Sequence, residues 1–409
     1  MEEKKIFGWG RYEFTLVFWF FIMWGIIFLD RLVMPFLAPV VMADLGLSPM
    51  QYALQNTLIT GFYALGAIFL TGFMEASGKR KRWLVLLTLG SGIFAILGGL
   101  SQNTGQFIAT RALVGLMQGP VAPIIFAMLI KESSEPKIAL NAGIVNMGVG
   151  VIAVMIGPIV MTQIAVAYSW RVSFIVTGIS SIVGGLVLLK LLRESAFQPS
   201  GEKKMSPVKA VILLCKYRNV LLSFLLGILT MVMYWTLMLY ATRFFVEAGQ
   251  PLTGAGFIVA TMGALGVVWT VVVPKVSDYM GRKPALVMWY AICAVAPFVM
   301  FGAPVSVAAI IAYALVGGIP GSIFPFFQAI IPGESLPNHL LGTASGLIIG
   351  VAELIGGSLW VAGLGTIEVS SGIPTVILTA GIAGVLAVIV SLFLQETKKG
   401  KRAEDKVQK

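Results

Sequence analysis

The run from Phe14 to Met42 is long enough to cross a bilayer, and the 409-residue chain contains twelve runs of this kind. A spanning segment needs roughly 20 apolar residues, and in hydrocarbon it must satisfy its own backbone polar groups, so such a chain is confined to membrane helices. The runs lie near 14–42, 51–74, 83–101, 106–130, 138–166, 171–192, 219–246, 252–274, 284–302, 305–333, 342–363 and 372–395. Composition agrees: 58% of residues are apolar and 11% charged, and the mean hydropathy is +0.92, outside the soluble range. The polar opening MEEKKIFGWGRYE leads into a first run too long for a signal-peptide core and without a small-residue cleavage site, so that run is expected to stay as a span.

Alternating the runs across a bilayer from a cytoplasmic N-terminus gathers the 29 Lys and Arg on one side, except Arg31, Arg111, Arg171 and Arg243. The positive-inside rule then places both termini in the cytoplasm. The net charge of +11 reads as topology and attraction to anionic membrane lipid, with no nucleic-acid partner. Cys215, Cys293 and the lone His339, read as a loop residue, form neither a disulfide framework nor a metal-ligand cluster. No cofactor or metal is expected. With no HExxH motif, no histidine cluster and no soluble domain, the chain is not expected to be an enzyme.

LRESAFQPSGEKKMSPVKA is the only long polar stretch in the interior, and it separates six runs from six. The expected organisation is a six-helix bundle over 1–192, a cytoplasmic linker over 193–218, a second bundle over 219–397 and a basic tail over 398–409. PKVSDYMGRKP, after the eighth run, places Asp278, Gly281, Arg282 and Lys283 where TGFMEASGKRK, after the second, places Glu75, Gly78, Lys79 and Arg80. Gly78 and Gly281 lie 203 positions apart. A positive-inside turn explains either copy alone; two copies in register point to one module written twice. The residues suit a tight turn with a carboxylate capping a neighbouring helix end and a basic pair at the cytoplasmic surface.

PKVSDYMGRK matches the signature loop of the major facilitator superfamily of secondary transporters, which the chain resembles across all twelve spans; TGFMEASGKRK is a degraded copy. A finer resemblance is to the anion:cation symporter branch, with its organic-anion, hexonate and sialin-type carriers. It is carried by Asp30 and Arg31 followed by APVVMADLGLS, by RALVGLMQGPVAP, by WRVSF and by GTASGLIIGVAELIGG. The resemblance implies two pseudo-symmetric six-helix bundles working by alternating access in the cell membrane, usually as a monomer. It also implies a small organic anion moved with a proton or a sodium ion.

Four strongly ionisable residues fall inside the hydrocarbon slab on this reading: Asp30, Arg31, Arg111 and Glu353. Such residues are costly at that depth and mark functional sites. Two positive and two negative groups cancel; protonating either acid leaves a positive charge for which an anion is the natural partner. Arg31 suits bidentate capture of a carboxylate. Asp30, turned by about 100° on the helix, is expected to pair with Arg111, either as a static lock or as a proton-sensitive one. Glu353 is either the coupling acid or a neutral hydrogen-bonding group. Two positions depart from the resembled branch: Gln118 stands where a titratable Glu is common, and Glu353 where Asn is common. Coupling therefore falls to Asp30 or Glu353, or is absent. Tyr63, Gln118, Asn146, Tyr240 and Gln328 complete the candidate substrate set, with Tyr234 and Trp269 behind them; for the aromatics, packing or an interfacial belt is the competing explanation. A drug/proton antiporter and an uncoupled organic-anion uniporter are the alternatives.

Overall fold

A computed structural model describes residues 9–70, 74, 77–194 and 212–398, giving only the backbone of 338 and 339. The described chain is a succession of long apolar helices: α1 (Arg11–Leu45), α2 (Pro49–Leu70), α3 (Arg80–Gly99), α4 (Thr104–Glu132), α5 (Glu135–Ala167), α6 (Trp170–Leu191), α7 (Arg218–Glu247), α8 (Leu252–Met280), α9 (Arg282–Gly302) and α10 (Val307–Ser335). A last helical stretch, Leu340–Leu392, is 53 residues long, about 80 Å if continuous and more than twice a bilayer. Gly372, at φ 79° and ψ 170°, breaks it into α11 (340–371) and α12 (373–392).

Several helices overrun the expected limits. Proline removes one backbone donor without ending a well-packed helix, so α1 continues through Pro35 and Pro39 and α8 through Pro274. The α11 helix runs past 363 through Glu368 to the glycine break. The backbone of His339 lies in a helical first turn, Asn338–Ala352, and not in a loop.

The chain divides into two compact units, Met1–Gly201 and Glu202–Lys409. In the first, α3 packs on α6, α2 on α4 and α1 on α5; in the second, α9 packs on α12, α8 on α10 and α7 on α11. The repeat of 203 extends to these contacts. A Cβ on Gly115 would stand 2.2 Å from the Ile59 carbonyl oxygen, and one on Gly318 would stand 2.6 Å from that of Met262. One turn on, a Cβ on Gly119 would stand 2.1 Å from the Tyr63 carbonyl oxygen, and Ser322 donates to the Gly266 carbonyl at 3.4 Å. Both units also carry a widened π-helical stretch at matching places, Val149–Ile156 in α5 and Glu353–Leu359 in α11.

In the signature loops, Gly78 and Gly281 have φ of 65° and 100°, a region costly for any residue with a Cβ. Arg282 bonds Asp278 at 2.6 Å and Glu334 at 2.9 Å. The Lys79 N–H donates to Ser77 Oγ at 3.4 Å, just before Arg80 opens α3. Chain returning after the sixth helix of each unit supplies a cap. Glu194 accepts from the Lys81 N–H at 2.9 Å, and Glu396 accepts from those of Arg282 and Lys283 at 2.8 and 3.2 Å. A carboxylate there answers the unsatisfied donors and positive end of a helix N-terminus. Glu75, residues 195–211 of the expected linker and 399–409 of the tail lie outside the described residues.

Candidate functional site

Asp30 and Arg31 are adjacent on α1, but the helix turns them into different surroundings. Asp30 is fully buried in the first unit amid donors from three other helices. From α4, Gln118 Nε2 donates to its Oδ2 at 2.9 Å and Arg111 Nη1 to its Oδ1 at 3.4 Å. Ser91 Oγ of α3 donates to Oδ2 at 3.3 Å. Thr177 of α6 lies 3.4 Å from Oδ1, with its closer acceptor the Phe174 carbonyl at 2.9 Å. Burial of a carboxylate is tolerable when a counter-charge and further hydrogen bonds replace water. This cradle offers both.

Arg111 is held less by the carboxylate than by main chain. Its Nη2 donates to the backbone carbonyls of Asp30 at 2.7 Å and Arg31 at 3.2 Å. The second of these is explained by sequence: Pro35 lies four residues after Arg31 inside α1, so the Arg31 carbonyl has no intrahelical donor. The guanidinium also lies 5.4 Å from the Phe174 ring centroid. Arg111 therefore mends the proline gap in α1 as well as neutralising Asp30, and two of its bonds do not depend on the charge of the carboxylate.

Arg31, 6% exposed, turns toward α2. Its Nη2 donates to Thr60 Oγ1 at 2.9 Å, and the guanidinium lies 4.9 Å from the Tyr63 ring centroid and 5.9 Å from that of Phe28. Arg31 and Tyr63 are thus brought together. Gln118 is not with them: it is 1% exposed and committed to Asp30 and to Ser91 Oγ, at 3.0 Å. Asn146 accepts from Trp24 Nε1 at 3.3 Å.

In the second unit, Glu353 opens the π-helical stretch of α11, and its Oε2 accepts from Trp235 Nε1 of α7 at 3.1 Å. Gln328 sits half-buried in another π-helical stretch, Phe326–Ile330 of α10. Tyr234 packs on Trp235 and Phe324, and Trp269 donates to the Leu315 carbonyl at 2.9 Å. Tyr240 is fully buried beside Arg243, 5.6 Å from its guanidinium.

Arg243 corrects the inventory of buried charge. It forms a two-pronged pair with Glu368, Nη1 to Oε2 at 2.8 Å and Nη2 to Oε1, both residues being 8% exposed. Sequence reasoning left Glu368 between spans because the polar EVSSG follows the eleventh run; the helix continues through it. Ser91, Thr177 and Thr60 were also missed, since small hydroxyls carry no signal until the facing of helices is known.

Residues 19–361 match the family model of the Major Facilitator Superfamily. The chain belongs to that superfamily: it is a transporter, a multi-pass protein of the cell membrane and not an enzyme. Among curated proteins it is 27% identical over 323 residues to multidrug resistance protein MdtG of Escherichia coli, covering 76% of this chain and 77% of that protein. Solved structures share the fold. A D-xylose-proton symporter aligns with TM-score 0.74 and 17% identity over 95% of this chain and 99% of its own. The nucleoside transporter NupG gives 0.75 and 12% over 94% and 100%.

Proposed function

We propose that this transporter carries a small organic anion, a monocarboxylate or sugar acid, in symport with a proton, as a member of the anion:cation symporter branch. The observation that carries the reading is Arg31: a guanidinium at membrane depth, steered by Thr60 and seated over Tyr63, beside an acid that is turned into a separate cradle with its own counter-charge. A guanidinium offers paired donors matched to a carboxylate, and the Tyr63 hydroxyl extends the candidate ligand set within the first unit. Asp30 is the proton site, with Glu353 as the second acid; Gln118 cannot titrate. In this scheme Arg111 stays docked on α1 while the charge on Asp30 changes, and the whole transporter works as a monomer.

A second reading, drug/proton antiport, is favoured by the relationship to a multidrug resistance protein. Reconstitution separates the two. In proteoliposomes with an acidic exterior, labelled lactate or gluconate is expected to accumulate above its external concentration, and a protonophore should abolish the accumulation. A sodium gradient serves as the parallel arm. Proton-driven movement of a lipophilic cation, with no accumulation of any carboxylate, refutes the symport reading.

A further inference from the structure

Gln118 has an asymmetry that its neighbours make meaningful. Both hydrogens of its Nε2 are used, one on Asp30 Oδ2 at 2.9 Å and one on Ser91 Oγ at 3.0 Å. Ser91 in turn donates to the same Asp30 Oδ2. The Gln118 Oε1 is buried and has no partner among the described residues. These three side chains close a ring that suits an Asp30 with no proton on Oδ2, because every group directed at that oxygen is a donor.

A proton on Oδ2 reverses the requirement. The acid then carries an O–H that needs an acceptor, and the amide Nε2 offers none. A half-turn about the terminal torsion of Gln118 exchanges oxygen for nitrogen almost without moving the carbon skeleton. The amide oxygen has two lone pairs, so it accepts both the Asp30 O–H and the Ser91 O–H, leaving the NH2 idle. At Gln118 the count is the same in both arrangements, two donors used and the oxygen idle or two lone pairs used and the nitrogen idle, while the ring as a whole exchanges three hydrogen bonds for two because Ser91 no longer donates to Asp30.

We propose that Gln118 is a two-position amide that reverses when Asp30 takes up a proton, a positioning residue that stabilises both charge states of the acid. This rests on the reading of Asp30 as the proton site. The charged groups around the ring are Arg111 of α4 and the adjacent Arg31 of α1; α3 and α6 present the hydroxyls of Ser91 and Thr177. An amide at this place gives the site a neutral, reversible partner where a second carboxylate would add charge.

Infrared difference spectra of the reconstituted full-length protein between high and low pH provide the test. The carboxylic C=O stretch that vanishes in Asp30→Asn identifies the protonated acid. In Gln118→Leu, and in Gln118→Met as a second variant of similar volume, that band is expected to move to higher frequency, the position of an acid whose O–H has lost its acceptor. Only variants whose thermal unfolding matches the unaltered protein are compared. An Asp30 band at an unchanged frequency in both variants overturns the reversal and leaves Asp30 as the proton site. Absence of any Asp30 band in the unaltered protein at low pH overturns both.

Discussion

Arg111 and Asp30 form one buried ion pair, yet their removal should not be equivalent. Deleting one member of a buried pair costs about 3–5 kcal/mol, because the other charge is left uncompensated. That estimate applies both to Asp30→Asn and to Arg111→Met. Only Arg111→Met also strips the donor from the Arg31 carbonyl, which Pro35 has already deprived of its helical partner; a buried orphan carbonyl adds about 1–3 kcal/mol. In Asp30→Asn the two main-chain bonds of Arg111, at 2.7 and 3.2 Å, persist. Arg111→Met should therefore be the more destabilising by about 2 kcal/mol. The double variant, with no unpaired charge, should recover part of the loss. Purified variants in detergent, unfolded while near-ultraviolet circular dichroism is followed, give the ordering. If Asp30→Asn destabilises as much as Arg111→Met, the carboxylate is the main anchor of Arg111 and the assignment of the backbone carbonyls is refuted.

Three further outcomes are expected. Arg31→Lys should abolish or severely weaken carboxylate binding, and Thr60→Val should weaken it about tenfold through loss of one charge-assisted bond; ligand-induced thermal stabilisation measures both, and unchanged affinity in Arg31→Lys removes that residue from the site. Gly115→Ala and Gly318→Ala should each destabilise by about 1–3 kcal/mol through overpacking, because a Cβ meets a main-chain oxygen, whereas Gly346→Ala, with open space around it, should be neutral or stabilising; equal unfolding midpoints for all three would contradict the close helix contacts. Glu396→Gln should weaken the cap on α9 by about 1 kcal/mol and raise the rate of tryptic cleavage after Arg282, a rate that stays the same if the cap is idle.

Much of the architecture was legible because membrane helices announce themselves by length and apolarity, and because Gly78 and Gly281 supplied the repeat. The same offset leads from Ile59 and Gly115 to Met262 and Gly318, contacts that no hydropathy pattern distinguishes. A further pair of strings, Leu192-Arg193-Glu194 and Leu394-Gln395-Glu396, lies almost in register with that repeat and marks the capping carboxylates; it was there to be read. So was Pro35, whose spacing from Arg31 identifies the open carbonyl that Arg111 fills. Other parts were not legible. Ser91, Thr177 and Thr60 acquire roles only through the rotation of α3, α6 and α2 about their axes, and an apolar sequence whose helices are buried on several sides leaves that rotation undetermined. Glu368 was misplaced because a charge near a run's end looks like the membrane boundary until its partner, Arg243, is seen.

The widened turns of α5 and α11 have a mechanical consequence. A π stretch holds one more residue than the α-helical turns it replaces. Drawing that surplus residue into regular helix would rotate everything beyond it by about 100° while leaving the hydrogen-bond ladder continuous. Each unit thus contains a screw joint at the same point of its repeat, and in the second the thread begins at Glu353.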